Sequence, residues 1–399
     1  MRIATAQAQA QLVQAMLDKQ SQLARTQQQL ATGQRLLTPA DDPTAAVRTL
    51  ALNRALDRLA TFGRNGDLAE SRLQAEEGAL AALGDILLRA RELALEANTA
   101  AQDGLSRGAI AAELRSLNDQ LLQVANQRDA NGEYLFGGDQ SRQIPFVREA
   151  GGTIRYTGDA GQRQVAIGEH RLVAVSDSGE RVLLTARDGN GLFRTDAAAA
   201  NTGTGRIDAG SVTDRSAWVA DTYTLNMLSA DQYEIRDSGG GLVTSGVYVP
   251  DSAISFNGVQ ITLSGAPAAG DRFEVRPSGR QDMFQTLAQL TQAVADLDAD
   301  PATAARGIGA LGRGIEEIDQ ALGHLQTIRT EVGSRLNGLD QQRQRNADET
   351  LSLQSLRSQL QDLDYTEAIG RLNLQTVALQ AAQQSYLKLQ GLSLFDLLR

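Results

Sequence analysis

The chain has 399 residues, of which 42% are hydrophobic but only 4% aromatic, so its cores must be built from thin Leu, Ile and Ala stripes. A net charge of −10 argues against nucleic acid as a partner, because phosphate binding needs a clustered basic face. The absence of cysteine excludes disulfides, thiolate zinc sites and cysteine nucleophiles. No stretch has the apolar length of a membrane helix, so no membrane partner is expected. The start, MRIATAQAQAQLVQAM, lacks the apolar core of a signal peptide; composition alone then places the chain in the cytoplasm unless another export route exists.

The first segment carries Met16, Leu23, Leu30 and Leu37 at seven-residue spacing, with Gln20 and Gln27 between them. Such a seam is too narrow to hold a lone helix against its conformational entropy. At LATGQRLLTPADDPTAA the pattern stops and restarts. Asp42 is a favoured N-cap and Pro43 a favoured first helical residue, so Gly33, Pro39, Asp41, Asp42 and Pro43 read as a hinge and cap. The next helix continues to about Asn98, which makes it ~80 Å long at ~1.5 Å per residue. Leu73, Leu80, Leu83, Leu87, Ala90, Ala94 and Ala97 form its seam, with Glu76 the polar exception. A shorter helix follows, with Ile110, Leu114, Leu117, Leu121 and Val124 in a 4-3 repeat.

From NGEYLFGG onwards the period becomes two. TIRYTG, RQVAIGEHRLVAV, TYTLNML, QYEIRD, SGVYV, AISF and VQITL read as strands, and Asn257-Gly258 as a hairpin turn. TDAAAANTGTGRIDAGSV is poor in large apolar residues and reads as surface loop. Helix returns near Arg280, breaks at DADPAT, and resumes as a heptad run from Ile308 to Leu339 in which only Arg329 is polar. After a lapse at Arg343 and Asn346 the seam continues through Leu360, Leu363, Leu372, Leu379 and Tyr386 towards Leu394 and Phe395. The ends can pair only if the β middle is an insertion. The expected class is therefore α+β: an elongated coiled-coil bundle of N- and C-terminal segments with a β-rich domain between them.

Catalytic constellations are lacking. Gly307-Ile308-Gly309-Ala310-Leu311-Gly312 matches a dinucleotide fingerprint, but no strand precedes it and its apolar residues belong to the heptad seam; close helix approach is the better reading. His170, expected on a strand, and His324 have no ligand-spaced partners. Asp362 and Asp364 read as a solvated helix face. No enzyme activity, cofactor or metal is expected.

LATGQRLLTPADDPTAA, and LLRARELALEANTA followed by IAAEL, resemble the flagellin superfamily. ANGEYLFGGDQSRQIPFV and the ending in SLFD are similar to its hook–filament junction branch rather than to filament flagellin. The resemblance covers about residues 1–147 and 280–399 well and the middle more weakly. It implies a structural adaptor outside the cell, exported by the flagellar type III route without a cleaved signal peptide. The implied partners are hook-associated protein 1, flagellin, copies of itself in a ring, and a cytoplasmic chaperone on the C-terminal helix. The implied division is residues 1–42 and 350–399 as assembly helices and 43–140 and 280–349 as a helical rod. Residues 141–279 are then an outward β domain, with 141–177 assignable either to it or to hairpins on the rod. Met16, Leu23, Leu30, Leu360, Leu363, Leu372, Leu379, Leu394 and Phe395 are the implied assembly seams, and segments 1–40 and 350–399 are expected to order on assembly. Arg89, Leu93 and Glu113 match flagellin positions seen by an innate immune receptor; packing on neighbouring subunits is the simpler expectation for that face. Filament flagellin and a secreted coiled-coil adhesin or effector are the competing readings.

Overall fold

Helices from both ends of the chain flank a β-rich middle. A computed structural model describes residues 2–99 and 103–395, with side chains for 7, 10–99 and 103–388. The helices are α1 (Arg2–Thr32), α2 (Pro43–Ala97), α3 (Gly104–Ala125), α4 (Gly179–Leu183), α5 (Met283–Asp296), α6 (Pro301–Gln361) and α7 (Tyr365–Phe395). Two compact units result, one formed by Met1–Arg64 with Gln342–Arg399 and the other by Asn65–Gln341.

In the smaller unit α1 packs on α7. The contact is as thin as the sequence suggests: Met16, Leu23 and Leu30 are half-buried, and among the described residues of α1 the two that are buried, Thr26 and Gln29, are polar. The Leu17, Leu374, Val377 and Leu387 side chains lie exposed. Leu394 and Phe395 close α7, but their side chains lie outside the described residues.

The larger unit has a helical core and a β core. In the first, Leu73 through Ala97 of α2 share one cluster with Ile110–Leu121 of α3, Leu287–Val294 of α5 and Leu311–Val332 of α6. Burying each such Leu stabilises by about 1.5–3 kcal/mol. Asp282 caps α5 by accepting from the Phe284 and Gln285 N–H groups, at 2.9 and 3.3 Å. The polar seam residue Arg329 is matched across the helices, its Nη2 lying 2.6 Å from Glu77 Oε1. Residues 307–312 lie inside α6 rather than at a strand–turn–helix junction. A Cβ on Gly307 would come 2.8 Å from the Ala293 carbonyl oxygen, so this glycine permits close approach of α5.

Two sheets enclose the β core. The first runs in the order Leu242–Val247, Gln232–Arg236, Tyr223–Met227, Arg272–Pro277, Phe193–Ala197. In the second, Val259–Ser264 pairs with Ala253–Phe256, Arg206–Ile207 and Ser211–Val212. Asn257 and Gly258 make the hairpin turn with φ of 42° and 75°, both in the left-handed region that a type I′ turn requires. Leu225, Ile235, Phe273 and Val275 of one sheet meet Ile254, Val259, Ile261 and Leu263 of the other.

Three expectations need correction. The stretch 195–212 is not merely surface loop. Asn201 is buried and ties it to the sheet, donating to the Arg272 carbonyl and accepting its N–H, both at 2.8 Å; amide hydrogen bonds replace the missing apolar residues. His170 sits in the two-residue turn between strands Gln164–Gly168 and Arg171–Ala174, not on a strand. The C-terminal segment is two helices, because Asp362, Leu363 and Asp364 interrupt it. Asp364 is a cap and not part of a solvated helix face: its Oδ1 accepts from the Thr366 and Glu367 N–H groups at 2.9 and 3.1 Å.

Candidate functional site

The break between α1 and α2 and the break between α6 and α7 are stitched together. Gly33 ends α1 with φ of 70°, a left-handed conformation that selects glycine, and lies beside the Tyr365 hydroxyl. The Gly33 carbonyl accepts the Leu363 N–H at 3.0 Å, and the Arg35 N–H donates to the Gln361 carbonyl at 2.8 Å. These bonds flank an antiparallel bridge between Gln34 and Asp362. Arg35 Nη2 also donates to the Leu360 carbonyl at 2.7 Å, satisfying an acceptor left open at the end of α6. Gln29, polar on the α1 face, reaches forward to the Arg35 carbonyl at 2.7 Å. Leu363 is buried at this crossing, and Leu360 is half-buried one turn before it.

The two adjacent aspartates have different tasks. Asp42 caps α2, its Oδ1 accepting the Ala45 N–H at 3.0 Å. Asp41 closes the turn Thr38-Pro39-Ala40-Asp41: its N–H donates to the Thr38 carbonyl at 3.0 Å, with Pro39 at the position that favours its fixed φ. Asp41 Oδ2 accepts the Leu37 and Thr38 N–H groups at 2.8 and 3.0 Å, and Oδ1 accepts the Thr38 hydroxyl and Arg25 of α1. Asp41 thus ties the end of α1 to the turn that starts α2. The Thr38 N–H, and then that of Leu37, hold its carboxyl below the usual carboxylate range. The turn is therefore held at and above the ordinary carboxylate range and is released only as pH falls through the depressed value. Replacing Asp41 by alanine is expected to deprotect the Leu37 and Thr38 amides at neutral pH while leaving those of α3 unchanged; site-resolved amide exchange measures it.

Gly33, Pro39, Asp41, Asp42 and Pro43 thus gather at one joint, with Leu360 and Leu363 on its far side. Met16 and Leu23 lie further back along α1 and Leu372 and Leu379 further along α7, while Leu30 lies in the last turn of α1, next to Gln29. Arg35 and Gln29 belong to the joint and were not anticipated. A signal existed in Asp362-Leu363-Asp364, an acid pair before TEAIG that mirrors Asp41-Asp42 before Pro43. Leu93 is only 1% exposed inside the helical core, while Arg89 Nε meets Glu113 Oε1 at 2.8 Å on the surface; the three residues do not present one accessible face.

A family profile of the bacterial flagellin N-terminal helical region matches residues 3–141, and one of the hook-associated protein 1 D2-like domain matches residues 197–277. Flagellar hook-associated protein 3 of Escherichia coli K12 is 24% identical over 397 residues, spanning 100% of this chain and 99% of its own. The solved structure of Xanthomonas campestris FlgL is 33% identical with a TM-score of 0.72, covering 77% of this chain and 99% of that one. The chain belongs to the FlgL family. Flagellar hook-associated protein-3 of Legionella pneumophila agrees, with 30% identity, a TM-score of 0.74 and coverage of 78% of this chain and 98% of that one. FlgL proteins are structural components of the bacterial flagellum, and the joint contains hydrogen-bonding and capping groups rather than a nucleophile, base and oxyanion set.

Proposed function

We propose that the chain is a structural adaptor of the hook–filament junction, joining hook-associated protein 1 to the first flagellin subunits as a ring of copies. One observation carries this reading above the others: similarity to solved FlgL structures runs over nearly the whole of those proteins. In this reading residues 1–42 and 350–399 are assembly segments, 43–140 and 280–349 the rod, and 141–279 the outward domain. The stitched joint sets the direction in which the α1–α7 pair leaves it. The exposed Leu17, Leu374, Val377 and Leu387 are apolar surface for neighbouring subunits, and before export for a cytoplasmic chaperone on α7. Thin seams suit a pair that orders fully on assembly, when partners supply the missing contacts. Type III export to the extracellular side of the flagellum follows from the same reading.

The deciding experiment is deletion of the gene in its source bacterium. Hooks without filaments, with flagellin shed into the medium, are expected, and a copy lacking about twenty C-terminal residues should not restore filaments. Normal filaments in the deletion strain would overturn the proposal. The companion measurement is amide exchange from Leu12 to Leu30, expected to be fast in the free monomer and slowed after assembly.

A further inference from the structure

A buried acid pair joins three segments of the larger unit. Glu76 of α2 is 1% exposed, and Asp177, in the connection Val175–Ser178 before α4, is 0% exposed. Glu76 Oε1 accepts the Asp177 N–H at 2.8 Å. The Asp177 carboxylate is well supplied with donors. Arg335 of α6 brings Nη1 to Oδ2 at 2.8 Å and Nη2 to Oδ1 at 3.2 Å. Arg181 Nη1 and Gln162 Nε2 reach Oδ1 at 2.6 and 2.9 Å. Both arginines are shared with Glu331 of α6.

Glu76 is not supplied in this way. Its Oε2 is buried and has no hydrogen-bond partner among the described residues, and the same is true of the neighbouring Ser176 hydroxyl. A carboxylate there would be a buried charge beside a second acid that already holds the nearby cations, an arrangement strongly disfavoured. A neutral carboxylic acid avoids that cost and retains the one hydrogen bond that is made.

We infer that Glu76 is a proton-dependent latch: neutral, it holds the connection Val175–Ser178 and the hairpin Gln164–Ala174 against α2, and ionised in alkaline surroundings it lets them go. The charged groups facing it are Arg72 from its own helix, Asp177 from the connection and Arg335 from α6, with Arg181 and Glu331 one step further out. Arg72 is already engaged, its Nη1 lying 2.8 Å from Asp129 and 3.0 Å from Glu133. Burial, helped by the Asp177 charge, pushes the Glu76 carboxyl up to about 8, against the pull of the Asp177 N–H, Arg335 and Arg72. The folded value lies above the ordinary 4.5. The contribution of the proton is therefore complete below that ordinary value and is lost as pH rises through about 8. Ile167, Val173 and Val175 cluster with Ala69 and Leu339, Val165 packs against them, and Asn65 Nδ2 donates to the Ala166 carbonyl at 2.8 Å.

The test is amide exchange of the full chain from pH 6 to 9, corrected for the intrinsic base dependence of exchange. Opening of residues 164–178 should grow roughly tenfold between pH 6 and 7 and level off above about pH 8, following ionisation of one group, while α3 and α5 stay protected. Glu76→Gln keeps an acceptor and cannot ionise, so its profile should be flat. Matching pH profiles in the two proteins, or opening spread over the whole unit, would overturn the latch. The carboxyl ¹³C titration of Glu76 in the unmodified protein decides independently of how the variant folds: a midpoint near 8 supports the latch, and one in the ordinary range near 4.5 defeats it.

Discussion

Glu317→Ala is expected to destabilise the larger unit by about 3–5 kcal/mol, because it breaks a buried ion cluster and leaves cations without a partner. Glu317 lies on α6, 2% exposed, with Oε2 accepting the Thr286 hydroxyl at 3.2 Å. Its Oε1 is 3.0 Å from Nη1 of Arg194, on a strand of the five-stranded sheet. Arg194 also meets Asp196 at 3.1 Å and Asp188 at 3.6 Å, Arg276 meets Asp188 at 2.8 Å, and Arg313 of α6 meets Asp196 at 3.3 Å. Three arginines and three acids thus join the β core to the helical core, and removing one acid leaves three guanidinium groups with two carboxylates. Replacing Arg194 and Glu317 together by apolar residues of similar volume should cost far less, since a cation and an acid leave together and Arg276–Asp188 and Arg313–Asp196 remain paired. The single tryptophan, Trp218, reports on the β core, its ring 5.6 Å from Phe193 and 5.7 Å from Tyr223. Denaturation followed by Trp218 fluorescence should show the Glu317→Ala transition at a clearly lower denaturant concentration. A loss below about 1 kcal/mol would mean that solvent reaches the cluster and screens it.

The cluster also marks where sequence reading stopped. Heptad spacing reveals which faces of α2, α3 and α6 are apolar, and alternation reveals most strands, because each depends on near neighbours in the chain. Arg194 with Glu317 and Arg35 with Leu360 are separated by more than a hundred residues, and no local period encodes such meetings. Asp42 was legible as a cap because its partner, the Ala45 N–H, lies three residues away. The two tasks of Asp41 were not, since Arg25 reaches it from the preceding helix. The break at Asp362–Asp364 was missed for another reason: Leu360 and Leu363 kept the heptad spacing across it, and the cap signal of Asp364 was outweighed by that period. Glu76 stood out as the polar residue in an apolar seam, but its meaning depends on Asp177, whose place beside α2 is set by the intervening hairpin.

Two glycines of α6, two residues apart, should respond to alanine with opposite signs. A glycine inside a helix costs about 0.5–1 kcal/mol relative to alanine, through the freedom it loses on folding. At Gly312 a Cβ would meet nothing within 4 Å, so Gly312→Ala should stabilise by up to about 1 kcal/mol. At Gly314 the Cβ would run into Cδ2 of Leu290 on α5. Leu290 is 1% exposed in the helical core and has little room to move, so overpacking of about 1–3 kcal/mol should outweigh the helical gain. Leu290→Ala alone should cost about 2–5 kcal/mol through lost burial and the cavity it leaves. With both changes the new methyl group fills part of that space, so the double variant should lose less than the sum of the two. Calorimetry or denaturation of the four proteins closes the cycle. Strict additivity, or a stabilising Gly314→Ala, would show that α5 and α6 are held apart by something other than the fit of Leu290 over Gly314. Close approach at this point needs the absent side chain at Gly314, whereas Gly312 is spaced for the same helix without that constraint.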